Sequence, residues 1–414
     1  MTYRSLRLLA TAIVVALAPT TGFAQQPAAP TVVTPAFDFS GVIFGSYNYR
    51  LDSLGQAQNG GQHVNQFSLD RAYLTFRMPA GDNGAIRVTT DVFQNTNAAQ
   101  NAYYQGWAVR IKYAYLQYTG LRNEFGTGSS LLGRIGILHT VVIDHEEGSW
   151  PRYLQQTAIE RSGFFSSADG GVAGLATLGN HMGEIYGTIT NGPGYTSFEK
   201  DRFKDFALRL SLTPLGNEKD MNAIVKSFTI SPWFYKGWVG SNFATGGAGQ
   251  VGPGTNGAIT GGLQRDRYGI FVGVKERRVN AGAEWAVRKD ASETDANTIA
   301  APRVEHDSTG RLLDGFVVFR PIELFDASQK SGLQLIARFD HFTPNTSPTA
   351  ANYAGTTPSL NFWILGASYD LNQKLTFALD WQKQHGVSFP TSTATNLRAP
   401  ADASSLFLHF QANF

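Results

Sequence analysis

Cysteine is absent from this chain of 414 residues. That excludes disulfides, thiolate metal sites and a cysteine nucleophile, and it suits an exported chain that needs no covalent staples. Charge is sparse too: Asp, Glu, Lys and Arg make up 16% of residues, against roughly 25% in an average soluble domain. After the amino end no apolar run approaches the roughly 20 residues that a membrane-spanning helix needs. A helical membrane protein is therefore excluded. The amino end itself reads as a secretory signal over residues 1–24, with Arg4 and Arg7 as its charged region and Leu8 to Ala18 as its apolar region. Gly22 and Ala24 supply small residues for cleavage before Gln25. Its removal takes two of the 34 basic residues and leaves 32 against 32 acidic ones. A formally neutral mature chain points to no nucleic-acid partner, and any ion preference has to come from where the charges sit.

Glycine (44), phenylalanine (28) and tyrosine (16) are abundant, which suits turns and aromatic girdles. The chain ends on SSLFLHFQANF, where Leu406, Leu408, Phe410, Ala412 and Phe414 alternate with Ser405, Phe407, His409, Gln411 and Asn413. This is the period of a strand with one apolar face, and that face runs to the last residue. The same alternation recurs upstream. Ala72, Leu74, Phe76 and Met78 oppose Arg71, Tyr73, Thr75 and Arg77; Phe206, Leu208, Leu210 and Leu212 oppose Arg209, Ser211 and Thr213. An arginine facing mid-membrane lipid costs about 2–4 kcal/mol, so the arginines must face inward. In WAVRIKYAYLQY both faces carry aromatics and the facing stays open, with a bulge as one solution.

The connections alternate in length as the strands are followed. PAGDNG, GNHM, KERR and DLNQ are tight turns, 123–130 and 322–331 somewhat longer ones. Between them lie the long stretches 51–66, 95–106, 141–170, 240–264, 290–309, 343–360 and 385–403. Short turns at one end and long loops at the other describe a transmembrane antiparallel β-barrel of about 16 strands. The expected layout is a signal (1–24), a short periplasmic leader (25–36) and the barrel (37–414). A barrel of this size encloses water rather than a packed core. A soluble two-sheet protein has no reason to keep the rhythm.

Several segments resemble the phosphate-selective porin O and P family of Gram-negative outer membranes: FSLDRAYLTFR, GRIGILHTVV followed by AIERS, KDFALRLSLTP, LIARFDHF and ILGASYDLNQKLTFALDWQ. The resemblance implies a sixteen-stranded porin in the cell outer membrane, commonly a homotrimer, with a loop folded inward to constrict the pore. By position that loop is 141–170. The terminal Phe414 resembles the signal read by the barrel-assembly machinery. Phosphate-selective members line their path with arginines and a lysine cluster, whereas the loop here opens with IDHEEGSW. Asp144, Glu146 and Glu147 would oppose an anion, so phosphate selectivity is not carried over.

The inward faces supply Arg71, Arg77, Arg87, Arg134, Arg209, Arg288 and Arg338. They either form a basic path for anions or pair with Asp91, Glu284, Asp340 and Asp380 and stiffen the wall. In the loop, Arg152, Glu160 and Arg161 either line the constriction or pin the loop, a role that suits Glu160 and Arg161 better. His139, His145 and Glu146 invite a metal site, but their spacing matches no zinc signature. Trp285, Trp363 and Trp381 fall on outward faces and read as interface girdle. The expected function is passive diffusion of small hydrophilic solutes through a water-filled channel, with no cofactor and with a lean toward anions. The alternative, an outer-membrane barrel hydrolase, lacks a G-x-S-x-G nucleophile motif.

Overall fold

The computed structural model describes residues 37–414 apart from 59, 96–105, 125, 181, 198, 200–201, 241–261, 294–304, 347–358 and 388–401. The expected signal and leader lie outside the described residues, as do parts or all of six of the seven expected long connections. The described strands are β1 (Asp38–Arg50), β2 (Asn65–Pro79), β3 (Gly84–Asn95), β4 (Gly106–Arg122), β5 (Ser130–His139), β6 (Ala168–Leu178), β7 (Gly183–Thr190) and β8 (Asp205–Leu212). They continue with β9 (Thr229–Gly240), β10 (Gly262–Glu276), β11 (Val279–Glu293), β12 (Glu305–Phe319), β13 (Leu333–Thr343), β14 (Ser359–Asp370), β15 (Leu375–Val387) and β16 (Ala403–Asn413). Each pairs with its sequence neighbours, and β1 pairs antiparallel with β16, so the sheet is a closed barrel without edges.

Closure is made by the chain's two ends. Gly41 N–H donates to Phe414 O at 2.8 Å, and Phe414 N–H returns a bond to Gly41 O at 3.0 Å. On the outer face the rings of Phe410 and Phe414 fill the space that a side chain at Gly45 or Gly41 would occupy. The aromatic carboxyl end thus covers the seam that it closes.

Side-chain alternation sorts the wall into two faces. In β8, Asp205, Ala207, Arg209 and Ser211 are buried while Phe206 and Leu208 are exposed. In β16, Ser405 and His409 are buried against exposed Leu406, Leu408 and Phe410. Trp285, Trp363 and Trp381 share the outward parity, Trp363 packing on Phe339 at 5.4 Å. An apolar outer belt of this extent needs hydrocarbon around it.

Three bulges break the period, each with one extra residue on one strand. The strand left open by the sequence is one of them. Thr89 pairs with Tyr113 and Thr90 with Ile111, leaving Lys112 as the extra residue of β4. Trp107, Val109 and Ile111 face out; Lys112 and Tyr113 are both buried; Leu116 and Tyr118 face out again. The aromatics on both faces of that segment are two correct alternations offset by one residue. The others are Asp70 in β2 and Gly120 in β4.

At the turn end, the connection at residues 213–228, which was not assigned from the sequence, carries a short helix, Ala223–Lys226. An eighth connection at the loop end, 191–204, was also not anticipated.

Gly136 in β5 has φ +129°, and an added Cβ would lie 2.2 Å from the carbonyl oxygen of Ala114 on β4. Gly136→Ala is therefore expected to destabilise the barrel by roughly 1–3 kcal/mol. The check is the temperature at which the folded, fast-migrating band converts to the unfolded one in detergent gels; an unchanged temperature would contradict the strain.

Candidate functional site

The connection between β5 and β6 runs over residues 140–167. Because β6 begins at Ala168, the last three residues of the expected loop belong to a strand instead. The loop lies against the inner wall through two apolar contacts. Val141, Val142, Ile143, Ile159, Phe164 and Phe165 pack on Tyr186, Trp233, Tyr235, Leu312 and Phe342. Trp150, Tyr153 and Leu154 pack on Phe44, Tyr73, Ile336, Phe362 and Ile364. Burying each large apolar side chain is worth about 1.5–3 kcal/mol, so the loop is held firmly.

Its main chain needs hydrogen-bond partners as well, since most of it is neither helix nor sheet. Arginines of the wall supply them. Arg209 donates to Val141 O and Arg267 to Phe164 O. Arg288 Nη1 donates to Ser162 O at 2.9 Å, and Arg338 Nη1 to Gln156 O at 2.6 Å. Gln382 Nε2 adds a bond to Leu154 O at 3.1 Å. Arg338 also holds Asp340 through Nε (2.7 Å) and Nη2 (2.8 Å), and Arg209 holds Glu184. These guanidiniums face inward, but they lie beneath the loop.

The other arginines have different surroundings. Arg71 and Arg110 share the buried Asp91 at 3.0 and 2.8 Å. Arg77 sits toward the turn end against Asp38 at 3.2 Å. Arg134 donates to Gln117 at 2.9 Å and lies 5.2 Å from the Tyr115 ring. Of the acids proposed as wall partners, Asp91 and Asp340 take arginine. Glu284 accepts from Trp233 Nε1 at 2.9 Å, and Asp380 meets His409 at 2.9 Å.

A cavity of about 450 Å³ lies between the loop and the wall, lined by strands β1–β4 and by Gln334, Asp370, Thr376 and Gln411 of β13–β16. The wall contributes Thr75, Arg87, Thr89, Lys112 and Tyr113; the loop contributes Asp144, Glu147, Trp150 and Arg152. A second space of about 280 Å³ adjoins it past Arg152 and Tyr153 and contains Ser46, Asp70, Arg71 and His409. Arg152 bonds Glu147 and, at 2.6 Å, Glu160. Arg161 turns away from the cavity to Asp340 (3.6 Å) and Gln384 (3.1 Å). The site therefore gathers Arg87, Asp144, Glu147 and Arg152 from the expected residues and leaves Arg77, Arg134, Arg161, Arg209, Arg288 and Arg338 outside its lining. Lys112 and Arg110 were not singled out from the sequence; the disturbed alternation of WAVRIKYAYLQY was the available signal.

The histidines diverge. His139 Nε2 lies 3.4 Å from Asp144, whereas His145 Nε2 bonds Ser231 Oγ at 2.9 Å. Among the described residues no three metal-ligating side chains converge. Burial first, then the nearby Arg209 guanidinium, pushes the His145 imidazole down to about 3. Burial, reinforced by the neighbouring Glu284 and Asp314, pushes the Glu146 carboxyl well above the usual range.

No family model matches the chain, and no curated protein matches it either. Solved structures do. The outer membrane channel DcaP of Acinetobacter baumannii is similar over 92% of this chain and 97% of its own, with TM-score 0.58 and 11% identity. OmpF of Salmonella typhi, in complex with daunomycin, gives TM-score 0.56 at 13% identity, covering 91% and 97%. The trimer form of OmpT from Vibrio cholerae gives 0.55 at 10%, covering 92% and 99%. The fold is that of outer-membrane barrels.

Glu146 in its folded place favours the neutral acid. Its contribution to holding the loop is full below the ordinary carboxyl pKa and is lost as pH rises through the elevated one. His145 stays neutral in place above about pH 3 and would gain a proton on release only below the ordinary imidazole value, so it adds nothing above about pH 7. Raising pH from about 7 to about 9 should loosen the loop and speed hydrogen exchange of its amides beyond their intrinsic dependence on pH. Glu146→Gln, which keeps the neutral shape, should flatten that rise; exchange that speeds equally in the variant would exclude Glu146 as its source.

Proposed function

We propose that this chain forms a passive channel of the Gram-negative outer membrane, through which small hydrophilic solutes diffuse along the space between loop 140–167 and strands β1–β4. The observation that carries this reading is the loop's placement. Apolar packing and arginine bonds fix it chiefly against strands β7–β14, with Trp150 and Tyr153 reaching Phe44 and Tyr73, while a polar space remains beside Arg87, Thr89 and Lys112. In this reading the loop is the constriction. The likeness in fold to the outer membrane channel DcaP supports it.

Across the space, Arg87 and Lys112 on the wall oppose Asp144 and Glu147 on the loop. Such a field runs across the passage rather than along it, so solutes of either sign can enter, each along its own side. The inward arginines tilt the balance only mildly toward anions, because Arg71, Arg209 and Arg338 are paired with carboxylates. The narrower reading, membership of the phosphate-selective porins, rests on the short segments quoted above. Assembly as a homotrimer and insertion by the barrel-assembly machinery through Phe414 belong to the same proposal.

Purified protein in planar bilayers should give stable conductance steps in KCl, with a small reversal potential across a salt gradient. Asp144→Asn should move that potential toward anions and Arg87→Ala toward cations. A folded protein that never conducts would defeat the channel reading, and potentials unmoved by both substitutions would defeat the field.

A further inference from the structure

Lys112 stands apart from the other cations of the lumen. It is 3% exposed, and among the described residues its ammonium has no hydrogen bond and no ion pair. Arg152, by contrast, is taken by Glu147 and Glu160, and Arg71 and Arg110 by Asp91. Asp91, Asp144 and Glu160 lie near enough to act on it, but none is in direct contact, and an ammonium so largely removed from water is normally paired directly. What Lys112 does have is aromatic faces: Nζ lies 4.3 Å from the Tyr73 ring centroid and 5.3 Å from that of Tyr113. The bulge is responsible, because it turns Lys112 and Tyr113 inward in succession and sets the ammonium beside the ring.

We infer that Lys112, with Arg87 beside it, forms a binding site for a small ring-bearing monocarboxylate on the wall of the passage. The inference rests on the channel reading and names a solute class for it. Arg87 lies over the opposite partner of the same aromatic set, 4.8 Å from the Tyr113 centroid. It spends Nε on Thr89 and Nη1 on His139, each at 3.1 Å, and its other terminal nitrogen makes no protein hydrogen bond among the described residues. Two cationic donors therefore border one cavity whose remaining walls include Phe44, Tyr73, Trp150 and Tyr153. Aromatic walls with a few placed polar groups are what a small-molecule pocket presents, and about 450 Å³ falls within the usual size range.

The sign of the loop decides between anions. Asp144, Asp370 and Glu147, the last held by Arg152, face the same cavity, so a second negative charge on the solute would be placed against carboxylates. A monovalent carboxylate can seat its one charge on Lys112 and Arg87 and turn an uncharged ring toward the aromatic walls. A phosphate dianion has no such uncharged end.

The experiment uses the full-length protein in planar bilayers in KCl, with benzoate as the probe and acetate and inorganic phosphate as comparisons. Benzoate is expected to interrupt the single-channel current in a concentration-dependent way, about tenfold more strongly than acetate or phosphate. Block is read relative to each variant's own open-channel current. Lys112→Met should weaken it about tenfold and Lys112→Arg restore most of it, with folding of both verified by gel migration. Phosphate blocking as strongly as benzoate would overturn the ring-bearing class. Block unchanged in Lys112→Met would overturn the role of Lys112. A channel that conducts KCl but ignores benzoate would overturn the site and leave the channel standing, whereas absence of KCl conductance would remove the channel reading itself.

Discussion

A peptide group in hydrocarbon has no water to bond, and that constraint governs the chain from Phe37 to Phe414. It forbids a free sheet edge, so β1 must find β16, and the paired bonds between Gly41 and Phe414 join the two ends. Once the sheet is closed, every strand has one face in lipid and one in the lumen, and the side chains must alternate. The sparse charge and the many aromatics follow from the same division. Half of each strand must be apolar, and the ionic residues can occupy only the other half.

The rule also applies inside the barrel, in modified form. Loop 140–167 enters the lumen carrying carbonyl groups that neither helix nor sheet satisfies, and the wall answers with Arg209, Arg267, Arg288 and Arg338. An arginine that holds a carbonyl is not free to attract a solute. The number of inward arginines is therefore a poor guide to selectivity, and the identity of their partners is a better one. Arg338 and Asp340, both nearly inaccessible, shape the loop; Arg87 and Asp144 face the open space.

How much of this the sequence discloses depends on whether a feature is local. The barrel, its strand number and the facing of Arg209 against Leu208 are legible, because a period of two is a property of neighbouring residues. Lys112 is not. A bulge inserts one residue and exchanges the two faces beyond it, so WAVRIKYAYLQY reads as apolar on both sides although each half is regular. The inward arginines were legible as inward, yet whether Arg288 meets water or Ser162 O depends on a loop more than a hundred residues away. The connection at 213–228 shows the same limit, since nothing local distinguishes a long turn carrying a helix from a short one flanked by polar residues.

The position of the open space follows from which strands carry apolar residues on both faces. In β12, Leu313 faces lipid while Leu312 and Val318 are buried within the lumen; in β14, Leu365 faces lipid while Phe362 and Ile364 are buried under the loop. Such inward side chains would be a liability in a water-filled lumen, and covering them is what the loop's own Val141, Ile143, Ile159 and Phe164 accomplish. Apart from Tyr73, which meets the loop's Trp150 and Tyr153, strands β2 and β3 present Thr75, Arg87 and Thr89, side chains for which burial under an apolar loop would be costly. The loop therefore has one favourable side on which to lie. The open space is left beside the polar wall, where the bulge in β4 adds Lys112 to it.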